Sequence, residues 1–422
     1  MSRLFILALA VALLSACAGT ATVPDPVAVA PETEGQPEPP EPVERPFPDD
    51  SVYPLLVAEF ALRRRNYDVA LENYLTQAQI LRDAGVSAHT THLTQFMRRE
   101  REAMEAAQLW VELEPDNAEA QNTLANLLLR QGRSLEALPH LAAVQRLGSP
   151  ARFPTLLNGF EQLDAQQQTE LVEGINALAR EWPDNTQLLM TQALLHAEFE
   201  QFPQALKKLD ALFEIEPYQP QAILLEARVL MATGDKKPFA RLEQAVADKP
   251  KDQELRLQYA RLLTASDMPA ARKQFEILSA QSPRDGDLLL SLALINRETG
   301  DDVAAKAYLK QMLALQQRVD EAHFYLGRIA EDQDDPQQAI SHYLQVEGQA
   351  EFLSANLRIG QILIGNGEQA QAQALFLEQR KAYPDRAEQI FSLEADLLTQ
   401  ADEVPSACLL YTSPSPRDHL AH

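Results

Sequence analysis

Residues 321–346, EAHFYLGRIAEDQDDPQQAISHYLQV, decide the fold of this chain. Small and apolar residues recur in them at helical spacing, at Leu326, Gly327, Ala330, Ala339, Tyr343 and Val346. We interpret the stretch as a helix, a turn and a second helix that carries the last three of these residues. Gly327 and Ala339 allow the two helices to approach closely, and Tyr343 fills the space beside them. The stretch therefore predicts a two-helix hairpin.

Prolines repeat at nearly constant intervals along the chain, at Pro115, Pro150, Pro183, Pro217, Pro250, Pro283 and Pro384. Five successive intervals are 35, 33, 34, 33 and 33 residues, and the last, 101 residues, equals three more periods. Proline ends a helix because it lacks the backbone N–H and clashes with the preceding turn. The even spacing predicts that the hairpin of residues 321–346 is one of many similar units.

The Leu-Gly pair, the alanine and the aromatic residue of the hairpin resemble the signature of the tetratricopeptide repeat, which spans about 34 residues. The resemblance implies an all-α solenoid, a right-handed superhelix of antiparallel helix pairs with a concave groove. A single pair is too small to bury its own apolar face, so neighbouring pairs have to stack.

About ten repeats and a truncated eleventh are expected within residues 52–407. We number them in chain order, and their expected bounds are 52–83, 86–117, 118–150, 151–185, 186–219, 220–252, 253–285, 286–319, 320–352 and 353–386, with the eleventh from Ala387. Repeat four has Leu171 and Ile175 in the small-residue and aromatic positions. We therefore expect its helices to be irregular.

The amino-terminal residues 1–16 predict a lipoprotein signal peptide. An apolar run from residue 4 to 14 follows one arginine, and it is shorter than the roughly 20 residues that span a bilayer. The sequence LSAC at 14–17 resembles the bacterial lipobox, which implies that Cys17 carries lipid. Ala18 after the cysteine favours, by the same resemblance, the outer membrane. The alternative is an ordinary signal peptide with a chance cysteine.

Residues 17–50 predict a disordered tether that follows the lipidated cysteine. From residue 18 to 50 the sequence has nine prolines and eight acidic residues against one basic residue, Arg45. Such a composition cannot bury an apolar core. We expect a spacer between the membrane and the repeats.

The carboxyl end breaks the repeat pattern. Residues up to Ala407 fit the eleventh repeat, but the string from Cys408 to Asp418 resembles the translation of a transposase sequencing adapter. We expect residues 408–422 to be non-native and the natural chain to continue with further repeats. The alternative is a natural disordered tail.

Charge and motif content argue against an enzyme and against nucleic-acid binding. The 61 acidic residues exceed the 37 basic ones, and the formal net charge of −24 disfavours contact with phosphate backbones. The sequence has no Gly-rich phosphate loop followed by Lys-Ser/Thr, no Gly-x-Ser-x-Gly and no Cys-x-x-Cys. We therefore predict no catalytic residues, no metal site and no cofactor.

The resemblance also implies a peptide-binding groove, because the first helix of each tetratricopeptide repeat lines the concave face. Transfer by register gives the candidate residues Asn122, Asn126, Arg228, Arg261, Arg297, Phe324 and Arg328, and it places the apolar Met190, Leu194 and Leu224 at equivalent positions. The two asparagines suit an extended peptide backbone, and the arginines offer paired donors to carboxylates. For each of these residues an exposed face without a binding role is the alternative.

The whole layout resembles a group of outer-membrane tetratricopeptide-repeat lipoproteins of gamma-proteobacteria. Some members are adaptors that bind a periplasmic carboxyl-terminal-processing protease and bring it to cell-wall hydrolases. The resemblance implies a lipid-anchored scaffold at the periplasmic face of the outer membrane, which binds the protease and peptidoglycan hydrolases on separate surfaces. Two alternatives are a pilotin or assembly factor for an outer-membrane secretin or barrel protein, and a component of envelope polysaccharide secretion.

Overall fold

The computed structural model describes residues 48–400 of the 422-residue chain. The predicted signal peptide, the lipidation site Cys17, nearly all of the tether, Ala407 and the tail from Cys408 lie outside the described residues. Within the described residues the chain divides into two compact units, 48–73 and 74–400.

The first unit contains α1 (Asp49–Arg63) and the beginning of α2 (Tyr67–Leu81). Asp49 and Asp50 lie in the first turn of α1, where negative charge stabilises the helix through its interaction with the helix dipole. Alanines at positions 58, 61 and 70 are buried. Small side chains at the buried face are what the repeat pattern predicts.

In the second unit, α-helices follow one another in pairs. They are α3 (Ala84–Phe96), α4 (Glu100–Leu113), α5 (Ala118–Arg130), α6 (Ser134–Arg146), α7 (Ala165–Glu181), α8 (Thr186–Glu198), α9 (Phe202–Ile215), α10 (Pro220–Ala232), α11 (Ala240–Asp248), α12 (Gln253–Leu263), α13 (Met268–Gln281), α14 (Gly286–Glu298), α15 (Asp302–Ala314), α16 (Val319–Asp332), α17 (Pro336–Tyr343), α18 (Gln349–Gly365), α19 (Gln369–Ala382) and α20 (Ala387–Gln400). Residues 48–400 contain no β-strand. The prediction of an all-α solenoid is confirmed.

The proline ladder marks the boundaries between repeats because each of several prolines precedes a helix cap by two residues. The caps are Asn117, Asn185, Gln219, Asp252 and Asp285, whose side-chain oxygens accept from backbone N–H groups in the first turn of α5, α8, α10, α12 and α14. These bonds satisfy N–H groups that have no partner inside the helix. The same few residues thus end one helix and start the next.

The stretch that decides the fold forms the predicted hairpin of α16 and α17. A Cβ atom added to Gly327 would lie 2.6 Å from Cε1 of Tyr343, so the close approach requires glycine. In repeat ten a Cβ atom added to Gly360 would collide with Leu397 of α20 and would lie 2.8 Å from Cζ of Phe376. The space beside the glycine is filled by the aromatic ring in repeat nine, and by Leu397 together with the aromatic ring in repeat ten.

One detail of that hairpin was predicted wrongly. Val346 is buried but lies beyond the end of α17, not on the second helix. The Oδ1 atom of Asp320 accepts from the backbone N–H groups of Glu347 (2.7 Å) and Gly348 (2.9 Å). These bonds hold a turn after α17, and α18 then begins four residues before the expected start of repeat ten.

Repeat four is irregular in its first half, whereas its second helix, which carries Leu171 and Ile175, is a regular α-helix, so the expectation is confirmed for the first helix and wrong for the second. Two short 3-10 helices, Phe153–Leu157 and Phe160–Gln162, stand where a first helix would be, and α7 forms the second helix. Phe153, Leu156, Leu171 and Ile175 are nevertheless fully buried. The apolar core therefore continues through this repeat.

None of the helices within residues 48–400 has the length and apolar character needed to cross a bilayer.

Candidate functional site

A cleft of about 830 Å³ opens beside the irregular segment of repeat four. Its walls are residues 150–155, the first helix of repeat five (α8) and the first helix of repeat six (α10). Ligand sites in proteins commonly have volumes of roughly 300–1,000 Å³. The cleft is therefore large enough to hold several residues of an extended chain.

The cleft exists because residues 150–155 do not form an α-helix. Pro150 and Pro154 lack the N–H groups that a regular helix would use, and only the 3-10 helix Phe153–Leu157 forms. That short helix packs against α6 and α8, where Phe153 and Leu156 fill the core. The side that a complete first helix would occupy is left open.

The floor of the cleft is apolar. Met190 on α8 and Leu225 on α10 are buried, while Leu194 and Leu224 are half-buried and also line the cleft. Side chains of an incoming segment can bury apolar surface against these residues. At about 25 cal/mol per Å² of buried apolar area, such contacts would supply most of the binding free energy.

The rim of the cleft is polar and basic. Arg152 and Arg228 are exposed at its edge. None of the residues that line this cleft in the described part of the chain is acidic, although the whole sequence has 61 acidic residues. The cleft is therefore a local site for negative charge on an acidic protein.

Amide side chains complete the rim, at Gln187, Gln219 and Gln221. The Oε1 atom of Gln219 accepts from Ala222 N at 2.5 Å and caps α10. Its side-chain N–H groups can donate hydrogen bonds to a ligand. An extended peptide has one backbone donor and one acceptor per residue, which amide side chains match.

Of the candidate groove residues transferred by register, the structure brings Arg228 to this cleft, together with the equivalent apolar residues Met190, Leu194 and Leu224. Asn122 and Asn126 lie on α5 outside it, half-buried and exposed respectively. Arg261 is exposed on α12. Phe324 is half-buried, with its ring centroid 5.7 Å from that of Tyr343.

Two predicted arginines lie beside carboxylates of the chain itself, Arg297 in a hydrogen bond and Arg328 at ion-pair distance. Nη2 of Arg297 donates to Asp332 at 2.8 Å. Arg328 lies 3.7 Å from Glu331, a carboxylate that also accepts from Arg358. These guanidinium groups are therefore less available to a ligand than those of Arg228 and Arg261.

Within residues 48–400 there is no group of three or more histidine, cysteine, aspartate or glutamate side chains that could hold a metal ion.

Comparison with known proteins identifies the repeats. Residues 260–318 and 302–354 match the family model described as tetratricopeptide repeat. The chain contains tetratricopeptide repeats. Proteins built from tetratricopeptide repeats generally mediate protein–protein interactions, and the fold is typically non-catalytic.

The chain is 32% identical over 368 residues to a protein of Pseudomonas aeruginosa named TPR repeat-containing protein PA4667. That alignment covers 86% of this chain and 61% of the relative, so the chain spans about three fifths of the relative's length. Among solved structures, a tetratricopeptide repeat protein of Parabacteroides merdae is similar, with 15% identity, 66% of this chain and 98% of that chain covered, and a TM-score of 0.38. Yeast Tom70 is similar with 13% identity, 86% and 91% covered, and a TM-score of 0.34.

Register transfer from regular tetratricopeptide repeats missed Arg152 and the glutamines of the rim. The method names positions on first helices, and repeat four has no regular first helix to which Arg152 could be assigned. A signal was nevertheless present, because Pro150 and Pro154 lie four residues apart where a first helix was expected. Two prolines at that spacing indicate that the groove-lining helix is interrupted.

Proposed function

We propose that this protein is a non-enzymatic scaffold, and that the cleft between residues 150–155, α8 and α10 binds an extended segment of a partner protein. The observation that carries the proposal is the combination of an apolar floor with two exposed arginines and no acidic lining residue. The segment would have apolar side chains for the floor and a carboxylate for the rim.

The chemistry of the rim selects the carboxylate. A guanidinium group presents parallel N–H donors that match the two oxygens of a carboxylate. Arg152 and Arg228 are exposed, so each such contact is screened by water and contributes only about 1 kcal/mol. The apolar floor would therefore provide affinity, and the arginines would provide selectivity.

A direct test measures the binding of fluorescent extended peptides to the full chain. The peptides share apolar residues and differ in whether they contain acidic side chains or neutral amides. We expect the acidic peptides to bind. The double substitution Arg152→Ala, Arg228→Ala should raise their dissociation constants by about tenfold, which corresponds to roughly 1.4 kcal/mol of binding free energy. Arg261→Ala is the matched control, because Arg261 is also an exposed arginine on a first helix but lies outside the cleft.

Equal affinity for the acidic and neutral peptides would contradict the proposed selectivity. An equal loss on Arg261→Ala would show that the effect is general charge attraction. Both outcomes can be separated from misfolding, because exposed arginine substitutions should leave the far-ultraviolet spectrum unchanged.

We further propose that the partners are a periplasmic carboxyl-terminal-processing protease and peptidoglycan hydrolases, and that lipid on Cys17 holds the scaffold at the periplasmic face of the outer membrane. The support for this part is the LSAC sequence at 14–17, the acidic, proline-rich composition of residues 18–50 and the resemblance of the layout. Two binding surfaces on one anchored body would raise the effective concentration of each partner for the other.

Cross-linking in intact envelopes, followed by purification of the scaffold, tests the partners. We expect the protease and hydrolases to be enriched with the wild-type chain and reduced with the Arg152→Ala, Arg228→Ala variant. Enrichment of a secretin or a barrel protein in their place would support an assembly factor. Fractionation of a Cys17→Ser variant tests the anchor, since loss of lipid should release the chain from the membrane.

A further inference from the structure

Two histidines face each other between the helices of repeat nine. His323 lies on α16 and His342 on α17, and their Nδ1 atoms are 3.2 Å apart. The ring centroids are 5.5 Å apart, which exceeds the nitrogen separation by about one ring diameter. Both nitrogens therefore lie close to the line that joins the centroids, and they face each other head-on.

This geometry is that of an N–H···N hydrogen bond between two imidazoles. One ring carries a proton on Nδ1 and donates, and the other accepts with its Nδ1 lone pair. Joint coordination of a metal ion would require both lone pairs to turn toward a third point beside the line. Head-on rings do not provide that arrangement, so we assign a hydrogen bond here.

The bond requires that at least one imidazole is neutral. If both rings are protonated, each Nδ1 is a donor, no lone pair remains, and two positive charges lie 3.2 Å apart. Asp320 on α16 opposes this repulsion at His323, whereas Lys306 and Lys310 on α15 add to it at His342. The balance of charge around His342 is therefore unfavourable to protonation.

We propose that the His323–His342 contact is a pH-sensitive latch, which holds α17 against α16 when neutral and releases α17 when both rings are protonated. The element that moves is α17, because it is only eight residues long. At its start the helix is held by the cap of Asp335, whose Oδ1 accepts from Gln338 N at 3.0 Å. At its carboxyl end Tyr343 is buried against Gly327 and Asp320 holds the turn that follows, so release has to break these contacts together with the histidine bond.

The direction of the pH effect is set by linkage. Burial lowers the pKa of both histidines below the ordinary value of 6.5, and the lysines lower that of His342 further. The open form then binds more protons than the closed form below that pH, so the closed form loses stability as the pH falls. The latch is closed above about pH 6.5 and weakens progressively below it.

Hydrogen exchange of the backbone amides of α17, corrected for the intrinsic pH dependence of exchange, measures the latch in the full chain. We expect protection to fall by about tenfold per pH unit for each proton taken up on opening, between about pH 6.5 and pH 5. In a His342→Asn variant the amide keeps a partner for His323 but cannot become charged. In this variant we expect the protection of the α17 amides to fall by at most about threefold per pH unit.

A matched control lies in repeat three. His140 on α6 has a pKa that burial also lowers, but its Nδ1 atom is 2.7 Å from the uncharged Oε1 of Gln121. Exchange in α6 should change less with pH than exchange in α17. An equal pH response of α6 and α17, or of the wild type and His342→Asn, would overturn the proposal.

A titration of the wild-type imidazoles by NMR keeps the proposal testable if the variant folds poorly. We expect His323 and His342 to titrate as a coupled pair, with the second proton taken up only as α17 amides lose protection. Independent titration of the two rings with α17 still protected would contradict the latch.

Discussion

Repeat four and repeat nine both depart from a regular helix pair, but the irregularity affects the first helix in repeat four and the second helix in repeat nine. Repeat four keeps a long second helix, α7, and has 3-10 turns in place of its first helix. Repeat nine keeps a full first helix, α16, and has a second helix, α17, of only eight residues. The apolar core continues through both.

The two repeats show that the consequence of an irregularity depends on which helix of the pair is affected. The shortening of the second helix in repeat nine leaves no gap, because α18 starts early and Asp320 fixes the turn before it. Loss of the first helix in repeat four is not absorbed, since α8 and α10 remain in place and a cleft is left beside residues 150–155. Irregularity on the first-helix side therefore produces a candidate binding site.

The largest expected losses of stability come from removing a buried aromatic side chain, and they test whether repeat four is as well packed as repeat nine. Phe153→Ala and Tyr343→Ala each remove a fully buried aromatic side chain, so each should reduce the free energy of unfolding by about 3–5 kcal/mol. Denaturant titrations followed by circular dichroism provide the measurement. If Phe153→Ala costs less than about 1 kcal/mol, repeat four is loosely packed and the comparison is wrong.

The next largest loss of stability concerns the close contact between Gly327 and the ring of Tyr343 in repeat nine. Gly327→Ala places a methyl group 2.6 Å from the ring of Tyr343, so we expect a loss of about 1–3 kcal/mol of stability. Gly365→Ala is the matched control in α18, because nothing lies within 4 Å of the added atom. That control should stabilise the chain by up to about 1 kcal/mol. Equal effects of the two substitutions would refute the steric explanation.

A side-chain cap distinguishes α8 from residues 150–155, the irregular wall of the cleft. Asn185 caps α8 through a bond from Leu188 N at 3.0 Å, so Asn185→Ala should cost about 1 kcal/mol. Arg152 precedes the 3-10 helix without any side-chain cap bond, and Arg152→Ala should change stability by less than about 0.5 kcal/mol. Thermal unfolding of the two variants under the same conditions tests this difference.

The smallest effects concern the arginines at the cleft and those near repeat nine. Arg297→Ala removes a partly exposed ion pair with Asp332 and should cost about 0.2–1 kcal/mol. Arg228→Ala should leave the free energy of unfolding unchanged within about 0.5 kcal/mol, because the side chain is exposed. A measurable loss of stability for Arg228→Ala would indicate a structural role and weaken its assignment as a binding residue.

Local signals made most of the fold predictable. A proline followed two residues later by Asn, Gln or Asp marks several boundaries between repeats, and the glycine–aromatic pair identifies the hairpin of repeat nine. The candidate site was predicted only in part. Arg228 and the apolar residues of α8 and α10 were found by register, but Arg152 was missed because its segment follows no register.

The position of an arginine within its repeat does not distinguish a guanidinium group that is free to bind a ligand from one that is paired with a carboxylate. Arg228 and Arg297 both lie on first helices at predicted groove positions, yet Arg297 donates to Asp332, 35 residues away in the sequence. Whether a carboxylate reaches a given guanidinium group depends on how neighbouring repeats stack. That information is not contained in the position of the arginine within its own repeat.

The sequence by itself determined that the chain folds into successive helix pairs and that repeat four deviates from them, because helix starts, helix ends and close helix contacts depend on residues near one another in the chain. Only the tertiary structure decided that residues 150–155, α8 and α10 enclose one cleft, and that two histidines 19 positions apart meet head-on. The physical reason is that such contacts join segments that become neighbours only when the helices have stacked.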